Sequence, residues 1–438
     1  MISLGDIAAA TGGYVRPEDA GRPVLDCVID SREAYEGSLF FALRGVHADG
    51  HDFVDRVVSM GGMAVVERDG GQAGTVLTGS VEKALLDAAR WRRGRMGCRV
   101  VGITGSSGKT TTRRLLMAAL GRRFSVYGTT GNLNNHIGLP LVVLNAPEED
   151  PEVMVLEAGM NHPGELAVLG SVVRPTDCLI TSIGRAHMEF FGSLEEVAAA
   201  KAELIRATAP GGNCVIPSGQ EVLRRAAEDT GLDIGTFGQG GDVWPEPDPA
   251  GGFLLQPWGL GMELTLSGSH NMTNASAAAL MAGTLGVPPE ESLAAMSTVT
   301  PSAGRGRIVE AGGLVILDES YNANPDSTLA CLEVLAGVKG PRGAVLGDMR
   351  ELGTTAMDSH REVLRKADSI GLDFLIVTGE DYASVADEVT SLEVAIAADW
   401  RQALEMLRRV AGPSSTVLVK GSNSLRLGEL VRSLEEGE

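Results

Sequence analysis

Short apolar segments alternate with helix-forming stretches through most of this chain. CRVVGIT, PEVMVLEAG and DCLITSIG follow one another from about residue 98, and LVILDES, GAVLGDM, DFLIVTG and STVLVKGS resume the pattern beyond residue 302. Strands that are separated by helices pair in parallel, because a parallel connection needs a long crossover. The sequence therefore predicts an α/β fold with mostly parallel sheets.

The chain has 438 residues, which is the length of several ordinary domains. Residues 1–95 mix short strands such as SLFFAL and GMAVVE with helices. Residues 96–302 contain the first alternation, the strand-like GFLLQP and MELTLSG, and the helix NMTNASAAALMAGTLG. Residues 303–438 contain the second alternation. We therefore predict three α/β domains with boundaries near residues 95 and 302.

The charge and the cysteines restrict the partners and the compartment. A formal net charge of −20 argues against nucleic acid or an anionic membrane, which clustered Lys and Arg would bind. The five cysteines are scattered without a C-x-x-C pair, which is typical of reduced thiols. The start lacks the regions of a signal peptide, and no apolar run approaches the roughly 20 residues of a membrane span. We expect a cytoplasmic monomer that binds any anionic substrate through a local basic patch.

The segment GITGSSGKTTT, from Gly102 to Thr112, has the form of a phosphate-binding loop between a strand and a helix. The strict motif G-x-x-x-x-G-K-[ST] would need a glycine where Ile103 stands. In such a loop the backbone N–H groups cradle phosphates, the lysine reaches the terminal phosphates and the next hydroxyl meets Mg²⁺. The alternative is a tight turn with a surface lysine. The predicted nucleotide-binding residues here are Gly105, Ser106, Ser107, Gly108, Lys109, Thr110 and Thr111.

Three later residues complete a candidate site, although each also has an ordinary structural explanation. Glu157 ends the apolar segment VMVLE, where a carboxylate would meet the phosphates or simply face solvent. His187 follows the strand-like CLITS and could be a ligand or a structural histidine. Lys201 lies mid-helix in VAAAKAELI, where residue type alone favours a solvated lysine.

Together and in this order, these features resemble the Mur ligases, the ATP-dependent amino-acid-adding enzymes of peptidoglycan synthesis. SHNMTNASAAAL is similar to the family's H-N-x-x-N-A helix, and GRGR to its arginine linker. The resemblance implies an N-terminal UDP-substrate-binding domain, a central P-loop ATPase-type domain and a C-terminal Rossmann-like domain. It also implies ATP and two Mg²⁺ ions, one held by Thr110 and Glu157 and the other by Glu157, His187 and Lys201. In the family this lysine is carbamylated by CO₂, which turns a cation into an oxygen ligand.

The same resemblance assigns further residues, with Arg305 preferred to Arg307 for the γ-phosphate and Asp318 placed at the ribose or at the domain hinge. The implied catalytic residues are Lys109, Glu157, His187, Lys201 and Arg305. The implied nucleotide contacts beyond the loop are Asn271, Asn274, Arg305, Asp318, Tyr321 and Asn322. The implied substrate contacts are Ser31, Arg32, Asn132, Asn134, Asn135, His136 and Asn324.

Several segments most resemble the members that add D-Ala-D-Ala to UDP-N-acetylmuramoyl-tripeptide through an acyl phosphate, a reaction on which cell shape and cell division depend. These segments are DSREAYEGSLFFALRGVHADGHDFV, TTGNLNNHIGLPLVVL, SYNANPDS and GDMRELG. Two alternatives stay open. One is a ligase of the same family with another amino-acid acceptor or nucleotide sugar, since Asn423 stands where the family commonly has Arg and VIPSG lacks the usual Asn and Asp. The other is a P-loop ATPase that acts as a binding module, which would need neither His187 nor Lys201.

The segment HADGHD has the composition of a metal cluster. It contains His47, Asp49, His51 and Asp52. The resemblance places it in the nucleotide-sugar-binding domain and implies that it binds no metal.

Overall fold

The computed structural model describes residues 2–68, 70–249, 252–266, 268–388 and 391–437. In its first part, one sheet has the order β2–β7–β6–β5–β4, in which β2 is antiparallel to β7 and the other pairs are parallel. A short antiparallel pair, β1 with β3, lies beside it. The strands are β1 (Ile2–Ser3), β2 (Tyr14–Val15), β3 (Pro23–Val24), β4 (Asp26–Val28), β5 (Ser38–Phe41), β6 (Met63–Val66) and β7 (Thr75–Leu77), and the helices are α1 (Leu4–Thr11), α2 (Val54–Ser59) and α3 (Val81–Gly94).

The central part has a parallel sheet of order β13–β12–β11–β8–β10–β9 and a small antiparallel sheet, β14–β15–β16. The strands are β8 (Arg99–Thr104), β9 (Val126–Gly128), β10 (Val153–Glu157), β11 (Asp177–Ile180), β12 (Asn213–Pro217), β13 (Asp233–Phe237), β14 (Trp244–Pro247), β15 (Phe253–Gln256) and β16 (Leu260–Met262). The helices are α4 (Lys109–Leu120), α5 (Gly138–Leu144), α6 (Glu165–Val173), α7 (Leu194–Arg206), α8 (Glu221–Thr230), α9 (Ser269–Thr284) and α10 (Pro289–Met296).

The last part has a sheet of order β17–β18–β22–β19–β20–β21, which is parallel except that β17 runs antiparallel to β18. The strands are β17 (Arg307–Ala311), β18 (Leu314–Glu319), β19 (Arg342–Gly347), β20 (Phe374–Thr378), β21 (Val394–Ala397) and β22 (Thr416–Lys420). The helices are α11 (Pro325–Ala336), α12 (Ala356–Ser369), α13 (Glu380–Val385), α14 (Trp400–Val410) and α15 (Leu427–Glu436).

The parts of the chain are joined in two different ways. One continuous apolar cluster contains Leu4 and Leu85 from the first part together with Leu139 and Leu166 from the central part. Among the described residues, the two apolar clusters of the last part contain only side chains from residues 309–434 and none from the first or central part. The first and central parts therefore share a core, whereas the last part has its own. The domain boundaries near residues 95 and 302 stay a prediction.

The predicted α/β fold with mostly parallel sheets is confirmed, and one predicted strand is wrong. MELTLSG was predicted to be extended, but β16 ends at Met262, the first residue of that segment. Met262 pairs with Phe253, where β15 begins, so the hairpin offers no further partner strand. Ser267 of this segment lies outside the described residues. The sequence analysis did not predict β17 and β21, the two edge strands of the last sheet.

Two expectations from the sequence concern the state of the cysteines and the absence of a membrane-spanning segment. All the cysteines of the sequence fall within the described residues, and each is a buried free thiol, as predicted. Within the described parts of the chain, no helix combines the length and the apolar character that crossing a membrane requires.

Arg93, near the end of α3, joins the first part to the central part. Its guanidinium donates hydrogen bonds to the carbonyl oxygens of Met96 (3.0 Å), Val173 (2.8 Å) and Arg174 (3.1 Å). Two of these carbonyls belong to the C-terminal end of α6, where helix carbonyls lack partners within the helix. Arg93 is only 7% exposed, so water does not replace these bonds easily.

Replacing Arg93 with alanine should lower the free energy of unfolding by about 2–4 kcal/mol, because three buried carbonyls lose their donor. Arg95 offers a matched control, since its guanidinium lies on the exposed surface, 4.5 Å from the Trp91 ring centroid. Arg95→Ala should cost at most about 1 kcal/mol. Thermal and urea unfolding of both variants would measure this, and equal effects would contradict the role of Arg93.

Candidate active site

A cleft of about 700 Å³ lies between the carboxyl ends of the central strands and the last part of the chain. In parallel sheets, ligands bind at this edge, next to the point where the strand order reverses. Here the reversal occurs at β8, which lies between β10 and β11. The lining residues include Ser106, Ser107, Gly108, Lys109, Thr111, Asn134, Asn135, His136, Glu157, His187, His270, Asn271, Asn274, Arg305, Glu319, Tyr321, Asn322, Asn324 and Lys420.

The glycine-rich loop follows β8, and the helix α4 begins at Lys109, as predicted. The first N–H groups of a helix lack partners within the helix and can therefore bind an anion. The loop is held from behind, since Ser106 N donates to Ser182 O (3.0 Å) and Ser107 N donates to Ser182 Oγ (2.8 Å). Lys109 Nζ donates a hydrogen bond to Gly105 O (2.7 Å). Burial lowers the pKa of the Lys109 amine, and the nearby charge of Glu157 acts in the opposite direction.

Two glycines of this loop are required by their surroundings. At Gly105 a Cβ would lie 1.9 Å from Thr181 Oγ1. At Gly108, where φ is +80°, a Cβ would lie 2.3 Å from Asn274 Oδ1. The α9 helix therefore packs directly against the phosphate loop through Asn274.

Glu157, at the end of β10, is a buried carboxylate held by several donors. It pairs in register with Ile103 of the adjacent β8, which places it beside the loop. Thr110 Oγ1 lies 3.0 Å from Oε2 and 3.2 Å from Oε1, and Asn134 Nδ2 donates to Oε1 (2.9 Å). Arg113 Nε is 3.7 Å from Oε2, and this buried nitrogen has no hydrogen-bond partner among the described residues. The explanation of Glu157 as a solvated strand end is therefore wrong.

Sequence reasoning did not identify Arg113 or Thr129 as parts of this site. Arg113 follows Lys109 by four residues on α4, a spacing that puts both on one helix face and that could have revealed it. Thr129 Oγ1 accepts the N–H of Glu157 (2.9 Å). Thr129 begins the segment TTGNLNNHIGLPLVVL, but its contact with Glu157 depends on the pairing of β9 with β10 and is not visible in that segment.

His187 and Lys201 are both withdrawn from solvent. Lys201 is only 1% exposed, so the prediction from residue type, a solvated helix lysine, is wrong. Burial, and then the charge of Lys109, put the pKa of the Lys201 amine well below its usual value. Among the described residues, no hydrogen bond or ion pair to its Nζ is found. Burial and the same lysine charge also lower the pKa of His187, whose Nδ1 bonds Glu351.

The residues beyond the loop that were predicted to contact the nucleotide line the cleft, except Asp318. Asn274 Nδ2 donates to Asn271 Oδ1 (3.2 Å), and the Arg305 guanidinium lies 3.6 Å from the centre of the Tyr321 ring. Asp318 is 1% exposed and accepts bonds from Gly304 N (2.8 Å) and from Ser320 Oγ (2.6 Å), among others. Asp318 therefore lies against the linker at Gly304 and does not line the cleft, and its role at the ribose or at the domain hinge stays a prediction.

The last part of the chain also contacts the phosphate loop. Asn324 Nδ2 donates to Ser107 Oγ (3.0 Å), and the carbonyl oxygen of Asn322 accepts a bond from Lys420 Nζ (3.0 Å). Asn423 Nδ2 donates to Tyr321 O (3.2 Å), so this departure from the family pattern supports the cleft wall.

Ser31 and Arg32 lie in the first part of the chain and do not line this cleft. Ser31 is buried, and Arg32 is exposed and paired with Asp30, which lowers the pKa of that carboxyl to about 2. In HADGHD, His51 Nδ1 bonds Asp49 (2.7 Å) and Nε2 accepts the N–H of Glu67 (2.9 Å). This histidine therefore has no ring nitrogen left for a metal ion.

The other predicted substrate residues precede α5. Asn134 and Asn135 line the cleft, and Asn135 Oδ1 also accepts the N–H of Gly138 (2.8 Å) at the start of that helix. His136 Nε2 lies 3.7 Å from Glu82 of α3, and Asn132 is exposed outside the cleft.

A strand, a glycine-rich loop and a helix N-terminus, with a buried carboxylate on the next strand, define an α/β protein that binds nucleotide phosphates. Comparison with known proteins is more specific. The Mur ligase middle domain matches residues 103–282, and the glutamate ligase domain of Mur ligases matches residues 304–423.

Relatives match over almost the full length. A UDP-N-acetylmuramoyl-tripeptide–D-alanyl-D-alanine ligase of Synechocystis is 35% identical over 92% of this chain and 90% of its own. A crystal structure of MurF from Acinetobacter baumannii has a TM-score of 0.90 at 31% identity, covering 99% of this chain and 98% of that one. MurF from Thermotoga maritima in complex with ADP has a TM-score of 0.83 at 28% identity, covering 94% and 97%. The chain belongs to the Mur ligase family, which confirms the resemblance seen in its motifs.

Replacing Gly108 with alanine should weaken ADP binding by at least about tenfold, because the new Cβ is strained at positive φ and displaces Asn274. Gly283 provides a control with the same chemical change, since a Cβ there, within α9, would meet no atom within 4 Å. Gly283→Ala should leave ADP affinity unchanged and should not lower the melting temperature. Calorimetric titration with ADP would measure both, and unaltered affinity in Gly108→Ala would contradict the packing argument.

Proposed function

We propose that this protein is an ATP-dependent ligase that adds D-Ala-D-Ala to UDP-N-acetylmuramoyl-tripeptide in peptidoglycan precursor synthesis. The observation that carries the proposal is the burial of Lys201, without a partner among the described residues, near Lys109 and His187. A simple ATPase module has no need of a desolvated lysine at this place. The full-length relatives that bear the name of this ligase support the acceptor.

We propose that the loop from Gly105 to Thr111 binds the nucleotide phosphates, with Lys109 and Arg305 offsetting their charge. Both cations line the cleft, and Arg305 is held against Tyr321. Fixed cations in a partly buried site stabilise phosphoryl transfer without reorganising during the reaction. Asn271 and Asn274 would contact the base, and Tyr321 and Asn322 would contact the rest of the nucleotide.

The residues of the site fit Mg²⁺, which prefers oxygen ligands. We propose that Thr110 and Glu157 hold one ion, and that Glu157, His187 and a carbamate on Lys201 hold the second. The neutral amine of Lys201 would attack the carbon of CO₂, form an N–C bond and lose a proton, which leaves a carbamate anion. Burial favours the neutral amine that this step consumes. Bound Mg²⁺ would offset negative charge on the phosphates and on the reacting carboxyl group.

In the proposed reaction, a carboxylate oxygen of the tripeptide attacks the γ-phosphorus of ATP, and ADP leaves. The amine of D-Ala-D-Ala then attacks the acyl phosphate carbon, loses its proton, and phosphate leaves. Positioning is the main task of the chain. Ser31 and Arg32 would bind the UDP group in the first domain, whereas Asn132, Asn134, Asn135 and His136 would lie along the muramoyl peptide, and Asn324 near the acceptor.

Phosphate release from ATP with UDP-N-acetylmuramoyl-tripeptide should depend on D-Ala-D-Ala and should fall to background with glutamate or diaminopimelate as acceptor. Arg95→Ala serves as a control for the preparation, because Arg95 lies on the surface away from the cleft. Release that requires a single amino acid rather than the dipeptide would replace this proposal with another ligase of the family. Release that requires no acceptor would favour an ATPase module.

The carbamate should give a ¹³C NMR signal after equilibration with ¹³C-bicarbonate, and Lys201→Met should lack that signal. Carbamylation consumes the unprotonated amine, whose pKa is lowered by burial. The signal should therefore persist to lower pH than a carbamate on a solvated lysine would, and should disappear as acid protonates the amine. A wild-type enzyme with full ligase activity and no such signal would show that Lys201 acts as an unmodified amine.

A further inference from the structure

Two short segments from different parts of the chain hold each other at the edge of the cleft. We call them the clasp: residues 187–189, which follow β11, and residues 351–353, which follow β19. The carboxylate of Glu351 hydrogen-bonds Nδ1 of His187, and Glu189 N donates to Glu351 O (2.9 Å). A Cβ on Gly353 would lie 2.8 Å from Glu189 Cα, so the two backbones are in close contact.

Both partners of the His187–Glu351 bond have an unusual backbone conformation. The φ angle is +61° at His187 and +63° at Glu351, in the left-handed region that residues with a side chain seldom adopt. This conformation is energetically unfavourable for a residue with a side chain and persists where the surrounding structure demands it. Strain on both sides of one contact indicates that the contact itself matters.

The segment that carries Glu351 is fixed within its own part of the chain. Arg350 N donates to Ser422 Oγ (2.9 Å), Met349 N donates to His360 Nε2 (3.0 Å), and Leu352 is 2% exposed. Glu351 therefore reaches His187 when the last part of the chain docks as a body, and it is not a flexible side chain that meets the histidine by chance.

We propose that Glu351 is a positioning residue that prepares His187 to bind the metal ion when the last domain docks, an inference that rests on the proposed function of His187. The Glu351 carboxylate can only accept a hydrogen bond, so His187 Nδ1 must donate it. The ring proton therefore stays on Nδ1, and Nε2 keeps a free lone pair. Histidine ligands of metals are generally held in this way by a second group. Among the described residues, no partner for Nε2 is found, and His187 lines the cleft.

This arrangement couples domain docking to the assembly of the metal site. With the last domain undocked, His187 loses its partner and its tautomer is no longer fixed. Docking restores the partner and also brings Asn324 to the phosphate loop. The second metal ion is therefore held well only in the state in which the acceptor domain is in place, which protects ATP from use before the acceptor domain arrives.

The test uses Mn²⁺ as the probe, with its binding measured by electron paramagnetic resonance on the full chain with a non-hydrolysable ATP analogue and UDP-N-acetylmuramoyl-tripeptide. Glu351→Ala should weaken one Mn²⁺ by about 10–100-fold, the effect expected for a group that orients a ligand. Glu351→Asp should do the same, because its carboxylate is shorter by one methylene, and aspartate tolerates positive φ, so the variant should fold. Glu351→Gln keeps an acceptor oxygen and should stay within about threefold of wild type.

Glu362→Ala is the matched control. It removes another carboxylate from the same interface, while its partner Arg185 keeps the bond from Nε to Asp326 (2.9 Å). Mn²⁺ binding should be unchanged in this variant. If Glu362→Ala weakened Mn²⁺ as much as Glu351→Ala, the charge of the interface would explain the effect and the proposal would fail.

A double-mutant cycle separates this inference from the proposed function. In the His187→Ala background, Glu351→Ala should have no further effect on Mn²⁺, because its route of action is gone. If His187→Ala weakened Mn²⁺ and Glu351→Ala did not, the positioning role alone would be refuted. If His187→Ala itself bound both ions normally, the proposed metal ligand would be wrong and the inference would fall with it.

Discussion

The parallel pairing of β8 with β10 and β11 is the constraint on which the site depends. The register sets Glu157 opposite Ile103 and Ile180 opposite Thr104. Since parallel strands end at one edge, the phosphate loop, the carboxylate and the segment that carries His187 emerge together. Residues that are far apart in sequence thus need no long side chains to meet. The strand interiors are fully buried, and a slip of one residue would turn Glu157 to the opposite face of the sheet.

The electrostatics of the cleft oppose those of the chain as a whole. The formal net charge is −20, yet the charge of Glu157 acts on both Lys109 and Arg113, and the charge of Lys109 acts on Lys201. Burial lowers the pKa of each of the three basic groups, which means that it disfavours their charged forms. A site of this kind is organised for anions before any anion arrives.

Sequence predicted the parts of this site that are local and missed those that depend on tertiary structure. The strand–loop–helix unit around Lys109 and the carboxylate at the end of VMVLE follow from short patterns, and both were found. The burial of Lys201 was not predictable from residue type, because lysine in an alanine-rich helix is ordinarily solvated. Thr129 and Glu351 lie in TTGNLNNHIGLPLVVL and GDMRELG, yet their contacts in the site depend on strand pairing and domain docking, which local sequence does not show. MELTLSG does not continue as a strand beyond Met262, because β15 offers no further residue for it to pair with.

The interface between the first and central parts differs in character from the interface between the central and last parts. The first and central parts share an apolar core, and separating them would expose that surface to water. The last part contacts the central part through polar groups. Asn324 contacts Ser107 of the phosphate loop, and Asp326 contacts Arg185. Such contacts exchange for contacts with water at little net cost. Separating the last part from the phosphate loop therefore costs less than separating the first part from the central part. The contact between His187 and Glu351 lies at this less costly joint, and it forms only when the last part is docked.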